Sequence, residues 1–186
     1  MNFYREAAEN YSLEQNRSSD YNTCMLKVVD IGIYQAVPDY AELIKILETI
    51  ADKYMQNKLT APSAKDLYFK SVLLFLANED DVGASQALER YINNDPTFYQ
   101  TRQHKFCTAL IKSVKDQDIG LFSDEWYIVF LCSYKFNEII PLDKWKTTIL
   151  TRVKVTIPNP DKSEESEELW FAKTGFNDWS NIIILA

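Results

Sequence analysis

A chain of 186 residues with 46% hydrophobic content can bury the core of one domain, and its four glycines and six prolines are too few turns for an all-β protein. A formal net charge of −7 repels polyanions and excludes nucleic acid as the main partner. Cys24, Cys107 and Cys132 are widely spaced with no CxxC pair, which excludes a disulfide framework or zinc site and leaves reduced core thiols. No apolar signal region opens the chain, and no stretch reaches the ~20 apolar residues of a membrane span, so a cytoplasmic protein is expected.

The first helix is predicted from Asn2 to about Glu14, with Phe3, Ala7, Ala8 and Tyr11 on one face. The polar stretch Asn16–Asp20 makes a turn, in which Ser19 or Asp20 caps a second helix. That helix carries Cys24, Met25, Val28, Val29, Ile31 and Ile33 and ends near Ala36. Pro38 suits the first turn of a third helix, whose stripe is Tyr40, Leu43, Ile44, Leu47, Ile50 and Ala51. Leu59–Ser63 breaks the chain, and Ser63 with Asp66 resembles a capping pair for a fourth helix through Leu67, Phe69, Val72 and Leu76.

Asn78–Asp81 is an acidic turn before a fifth helix, marked by Ala84, Ala87, Leu88 and Tyr91 and stopped by Asn93-Asn94-Asp95-Pro96. A sixth holds Phe98, Phe106, Ala109, Leu110 and Val114. Gly120 separates it from a seventh with Leu121, Phe122, Trp126, Val129, Phe130 and Cys132. Pro141 and Asp143 open an eighth through Trp145, Ile149, Leu150 and Val153 to about Ile157. Short turns between helices that each bear one apolar stripe imply stacked antiparallel hairpins, an all-α solenoid with units of ~40 residues. Unequal helices without a heptad pattern disfavour a pair of four-helix bundles.

Five segments, in order over residues 3–157, resemble the α/β type of soluble NSF attachment protein, the SNARE-disassembly adaptors. They are Phe3–Tyr11, Asn22–Val28, Ser63–Lys70, Leu88–Arg102 (Leu-Glu-Arg-Tyr, then Asp-Pro-Thr-Phe and Thr-Arg) and Leu142–Leu150. The resemblance implies a TPR-like α-solenoid, a right-handed sheet of hairpins capped by a C-terminal helical bundle, over residues 1–157. Residues 158–186 would form an acidic, then apolar, tail.

The resemblance also implies an adaptor that lays one face on a syntaxin-like SNARE complex, recruits the ATPase NSF, and reaches membranes peripherally through the SNAREs. It needs no cofactor and catalyses nothing itself. SNARE bundles are acidic, so the contact face needs cations on rigid helices; Lys27, Lys65 and Arg102 match basic family positions on or near it. For NSF, Glu79 or Asp80 supplies the first acid, Asp116 a later one, and Leu169 matches the penultimate Leu of the family's acidic ending.

Departures from the family carry their own expectations. The chain begins inside the family's N-terminal sheet, so the earlier hairpins and an exposed membrane-touching loop are expected to be missing, as in a short isoform, a truncated gene model or a fragment. Thr23 stands where the family usually has a SNARE-contacting Lys. Lys112 and Lys115 fall where the NSF contact is acidic, with the wrong sign for a basic partner. Trp170–Ala186 continues past the acidic ending as a docking segment, an oligomer contact or a frame-shifted end.

His104, the single histidine, shares a helical face with Cys107, but no nucleophile–base pair with an oxyanion hole and no Gly-rich phosphate loop accompany it. Trp126 and Trp145 are expected in the core of the terminal bundle. Two functions follow: a SNARE-complex adaptor, or a truncated helical-repeat scaffold that competes for SNAREs without recruiting NSF.

Overall fold

The computed structural model describes residues 1–14, 16–126 and 144–158, which are helical and contain no strand. The chain runs α1 (Asn2–Leu13), α2 (Ser18–Gly32), α3 (Tyr40–Met55), α4 (Ala61–Ala77) and α5 (Asp81–Asn94). A 3-10 turn (Pro96–Gln100) then leads to α6 (Arg102–Lys115), α7 (119–126) and α8 (Lys144–Thr156). Val129, Phe130, Cys132, Pro141, Asp143 and the tail from 159 onward, Leu169 included, lie outside the described residues.

The helices follow from spacing. On α3, Tyr40, Leu43, Ile44, Leu47, Ile50 and Ala51 recur every three or four residues and are all buried. The expected single stripe per helix fails at α4. Ala64, Leu67, Tyr68, Phe69, Val72, Leu73, Leu74 and Leu76 bury it nearly all round. The reason is its place: α4 packs against α3, α5, α6 and α8 and is the axis of the core. Truncating a fully buried side chain there, such as Leu73→Ala, costs about 2–5 kcal/mol.

Consecutive helices alternate in direction. Lys53, near the end of α3, lies over the Tyr21 ring near the start of α2, 4.7 Å from its centre. Gln103 at the start of α6 donates to Asp66 at the start of α4 at 2.6 Å, so α4 and α6 run parallel. The α2–α3, α4–α5 and α6–α7 connections therefore lie on one edge of the array. α8 follows α4: Trp145 packs edge-on to Phe69, and Arg152 binds the α2–α3 connection.

Several expected boundaries are corrected. Arg17, not Ser19 or Asp20, is the N-cap of α2, without a side-chain bond, and the helix ends at Gly32. Pro38 lies before α3, where Asp39 is the cap and accepts from Glu42 N at 3.0 Å. Ser63 lies inside α4, whose first turn holds Pro62. Phe98 belongs to the 3-10 turn, because Thr101 opens α6 by accepting from His104 N.

Candidate functional site

A cluster of cations spans α2, α4 and α8. Lys70 donates to Asp30 Oδ1 at 2.6 Å, and Lys27 Nζ lies 3.8 Å from Asp30 Oδ2. Two ammonium groups thus share one carboxylate, which leaves net positive charge on the seam. The Lys70 ammonium also sits 4.7 Å from the Trp145 ring centre, with Lys146 5.6 Å from the same ring. Lys27 is exposed, as a contact residue requires. Lys70 and Lys146 were missed in the sequence, because only the fold brings the middle of α4 beside the start of α8. Trp145, expected in the core, is partly exposed, because its ring is the platform between these lysines.

Lys65 and Arg102 come together at the opposite edge. Each is adjacent in sequence to a member of the Asp66–Gln103 hydrogen bond, so both stand at the parallel starts of α4 and α6. Lys65 is half-buried, and its Nζ lies 3.8 Å from Asp95 Oδ2. Asp95 is itself buried and caps the 3-10 turn through Thr97 N at 3.0 Å. Lys65 therefore neutralises a buried structural carboxylate, while Arg102 is exposed. Lys27 stands apart from this pair, along α2.

Glu79, Asp80 and Asp116 sit on the edge that carries the connections. There the α4–α5 and α6–α7 turns are built alike. Asp80 N reaches back to Phe75 O at 3.0 Å and Glu79 N to Leu76 O at 3.0 Å. Asp118 N likewise bonds Ser113 O at 2.9 Å, and Gln117 N bonds Val114 O at 3.2 Å. Both are Schellman closures, with Glu79 (φ 59°) and Gln117 (φ 53°) in the left-handed region normally left to Gly.

The next residue in each turn, Asp80 or Asp118, caps the following helix. Asp80 Oδ1 accepts from Gly83 N at 2.7 Å, and a Cβ on Gly83 would come within 2.2 Å of Oδ2. Asp80 is therefore a structural cap, Glu79 its exposed neighbour, and Asp116 the exposed C-cap of α6. Lys112 and Lys115 are exposed on the last turn of α6 beside it.

The remaining polar groups serve the core. The His104 ring lies in the Phe98–Tyr99 aromatic corner with Nδ1 buried and unpartnered, and desolvation holds its pKa below the ordinary value. Burial pushes the Cys107 thiol far up, which removes the thiolate a nucleophile needs. Cys24 is only partly buried, and Trp126 is buried against Phe122. Among the described residues no cluster of His, Cys, Asp or Glu is placed to hold a metal, and no helix is long and apolar enough to cross a membrane.

Residues 1–158 match the family model described as "Soluble NSF attachment protein, SNAP". The chain is 31% identical over 164 residues to vesicular-fusion protein SEC17 of Komagataella phaffii, covering 88% of this chain and 52% of that protein. It is 31% identical over 159 residues to the alpha-soluble NSF attachment protein of Dictyostelium discoideum, covering 85% and 51%. To the beta-soluble NSF attachment protein of Bos taurus it is 33% identical over 155 residues, covering 83% and 48%. The chain thus spans about half the length of the curated relatives it matches.

Proposed function

The chain belongs to the soluble NSF attachment protein family, and on that premise we propose that it is an adaptor which binds an acidic SNARE bundle and brings NSF to it. The observation that carries this reading is the Lys27–Asp30–Lys70 seam, where lysines outnumber carboxylates on a chain of net charge −7. A rigid positive face across three helices is what an acidic four-helix rod requires. Lys27 and Arg102 serve as exposed contacts, with Lys65 contributing less because Asp95 holds it. Work of this kind is binding and transmission of force rather than chemistry, done in the cytoplasm at membranes that carry the SNAREs.

The NSF step in this reading falls to Glu79 and Asp116, with Asp80 supporting the turn and Leu169 in the tail. One observation favours a second reading. Lys112 and Lys115 stand exposed beside Asp116 and repel a basic partner, as a scaffold that holds SNAREs without NSF would. Retention of NSF on an immobilised SNARE bundle, with and without the chain and with non-hydrolysable ATP, separates them. NSF retained only with the chain supports the adaptor. The chain retained without NSF supports the competitor, and neither retained rejects both.

A further inference from the structure

We propose that Lys146, in the first turn of α8, is a further contact for the acidic SNARE bundle, and that Trp145 is the residue that positions it. This rests on the adaptor reading and deepens it, because it makes the last helix part of the gripping face. α8 carries Lys144, Lys146, Arg152 and Lys154 and no carboxylate. α4, on which α8 packs, brings Lys70 to the same place.

The Trp145 ring gathers these cations. Lys70 Nζ lies 4.7 Å from its centre and Lys146 Nζ 5.6 Å, and Lys146 Nζ is also 6.0 Å from the Phe69 ring. Trp145 itself is fixed edge-on to Phe69, with ring centres 6.3 Å apart. A ring attracts an ammonium through its quadrupole and does not cancel its charge. Lys146 is thus held in place while keeping the sign that an acidic partner needs.

Lys70 joins Lys146 to the rest of the seam. It shares the Trp145 ring with Lys146 and shares Asp30 with Lys27, so three ammonium groups gather round one carboxylate and one ring. Cations that each lie within ~6 Å of one ring centre stand no more than ~12 Å apart. Two turns of an α-helix rise about 11 Å, so carboxylates one or two turns apart on a partner helix match that spacing. A rod of acidic helices offers such pairs repeatedly along its length, which favours it as the occupant.

Titration of a labelled, assembled SNARE bundle with the full chain tests the proposal. K146E should weaken binding by up to about fivefold, with the loss shrinking in high salt. K146Q, which removes the charge without adding another, should lose less, and thermal melts of both variants check that the fold is kept. K45E, the same change of net charge on α3, should lose less than K146E; an equal loss would show an effect of net charge alone and overturn the proposal. W145F should weaken binding in the native background and have no effect in K146M, where there is no ammonium to place. A W145F loss that persists in K146M would make the ring structural and overturn its positioning role. If K27E weakens binding and neither Lys146 variant does, this inference fails and the adaptor reading stands. If the native chain does not bind the bundle, both fail. Binding to anionic vesicles that K146E abolishes, with bundle affinity unchanged, would assign Lys146 to a lipid surface and overturn the proposal.

Discussion

Arg152 of α8 donates to the backbone carbonyl of Ile33 at 2.7 Å and so caps the C-terminal end of α2 with a charge brought from 119 residues away. The same guanidinium reaches Tyr40 Oη at 2.9 Å and Gln35 O at 3.2 Å. Carbonyls at a helix end have no partner within the helix, and a cation there also meets the negative end of the helix dipole. The last helix is thereby fastened to the second through one side chain.

Arg152→Met keeps the aliphatic stem and removes every one of these bonds. It should cost about 2 kcal/mol, the worth of a charged hydrogen bond, and speed amide exchange in α8 more than in α3. Urea melts with exchange mass spectrometry check this. Equal acceleration throughout would show that α8 is held by its apolar face alone.

Lys70 and Lys27 share Asp30, and their substitution should separate binding from folding. Reversing the exposed Lys27 to Glu should weaken SNARE-bundle binding by up to about fivefold, ~1 kcal/mol or less for one exposed charge, whereas Lys70, mostly buried against Asp30 and Trp145, is changed only to Gln so that the fold is kept. The loss should shrink in high salt, as titrations at two ionic strengths would show. A loss unaffected by salt would mean the seam acts through fold stability instead.

Glu79 and Asp80 are neighbours with opposite roles. Glu79→Gly removes a side chain from a left-handed position and should stabilise the fold by up to about 1 kcal/mol while deleting the exposed acid. Asp80→Ala removes the cap on Gly83 N and should destabilise by about 1 kcal/mol. Thermal melts paired with NSF retention distinguish them. If Glu79 is a contact, E79G gains stability and loses NSF; no change in NSF retention would remove Glu79 from the site.

Much of this was legible in the sequence, because helix period and turn residues are local. The α3 stripe, the stop at Asp95-Pro96 and the acidic turn at Asp80 are written in neighbouring residues. What the sequence hid is contact at long separation. Nothing near Lys70 announces Trp145, and nothing near Lys65 shows that Asp95 will be buried and need its charge. The caps expected at Ser19 and Ser63 show the same limit: the N-caps are Arg17 and Thr60, two and three residues earlier, and neither makes a side-chain cap bond. Collinear motifs located the family, whereas the roles of individual charges required the fold.

His104 makes stability depend on pH over a definite window. Its ring is buried with Nδ1 unpartnered, and desolvation lowers its folded pKa. The unfolded chain, with an ordinary value of about 6.5, then takes up a proton before the folded chain does. Stability is fully present above that value and falls as pH drops below it, levelling once the folded group also protonates. Glu42 behaves differently: Arg5 holds its carboxyl below the ordinary range, so its contribution is full above the ordinary carboxylate value and is lost progressively as pH falls from there through the lower folded value. His104→Phe should therefore flatten the loss just below neutrality and leave the steeper acid loss in place. Urea melts across that range test it, and an unchanged slope in the variant would mean that the folded chain admits the proton at His104 without penalty.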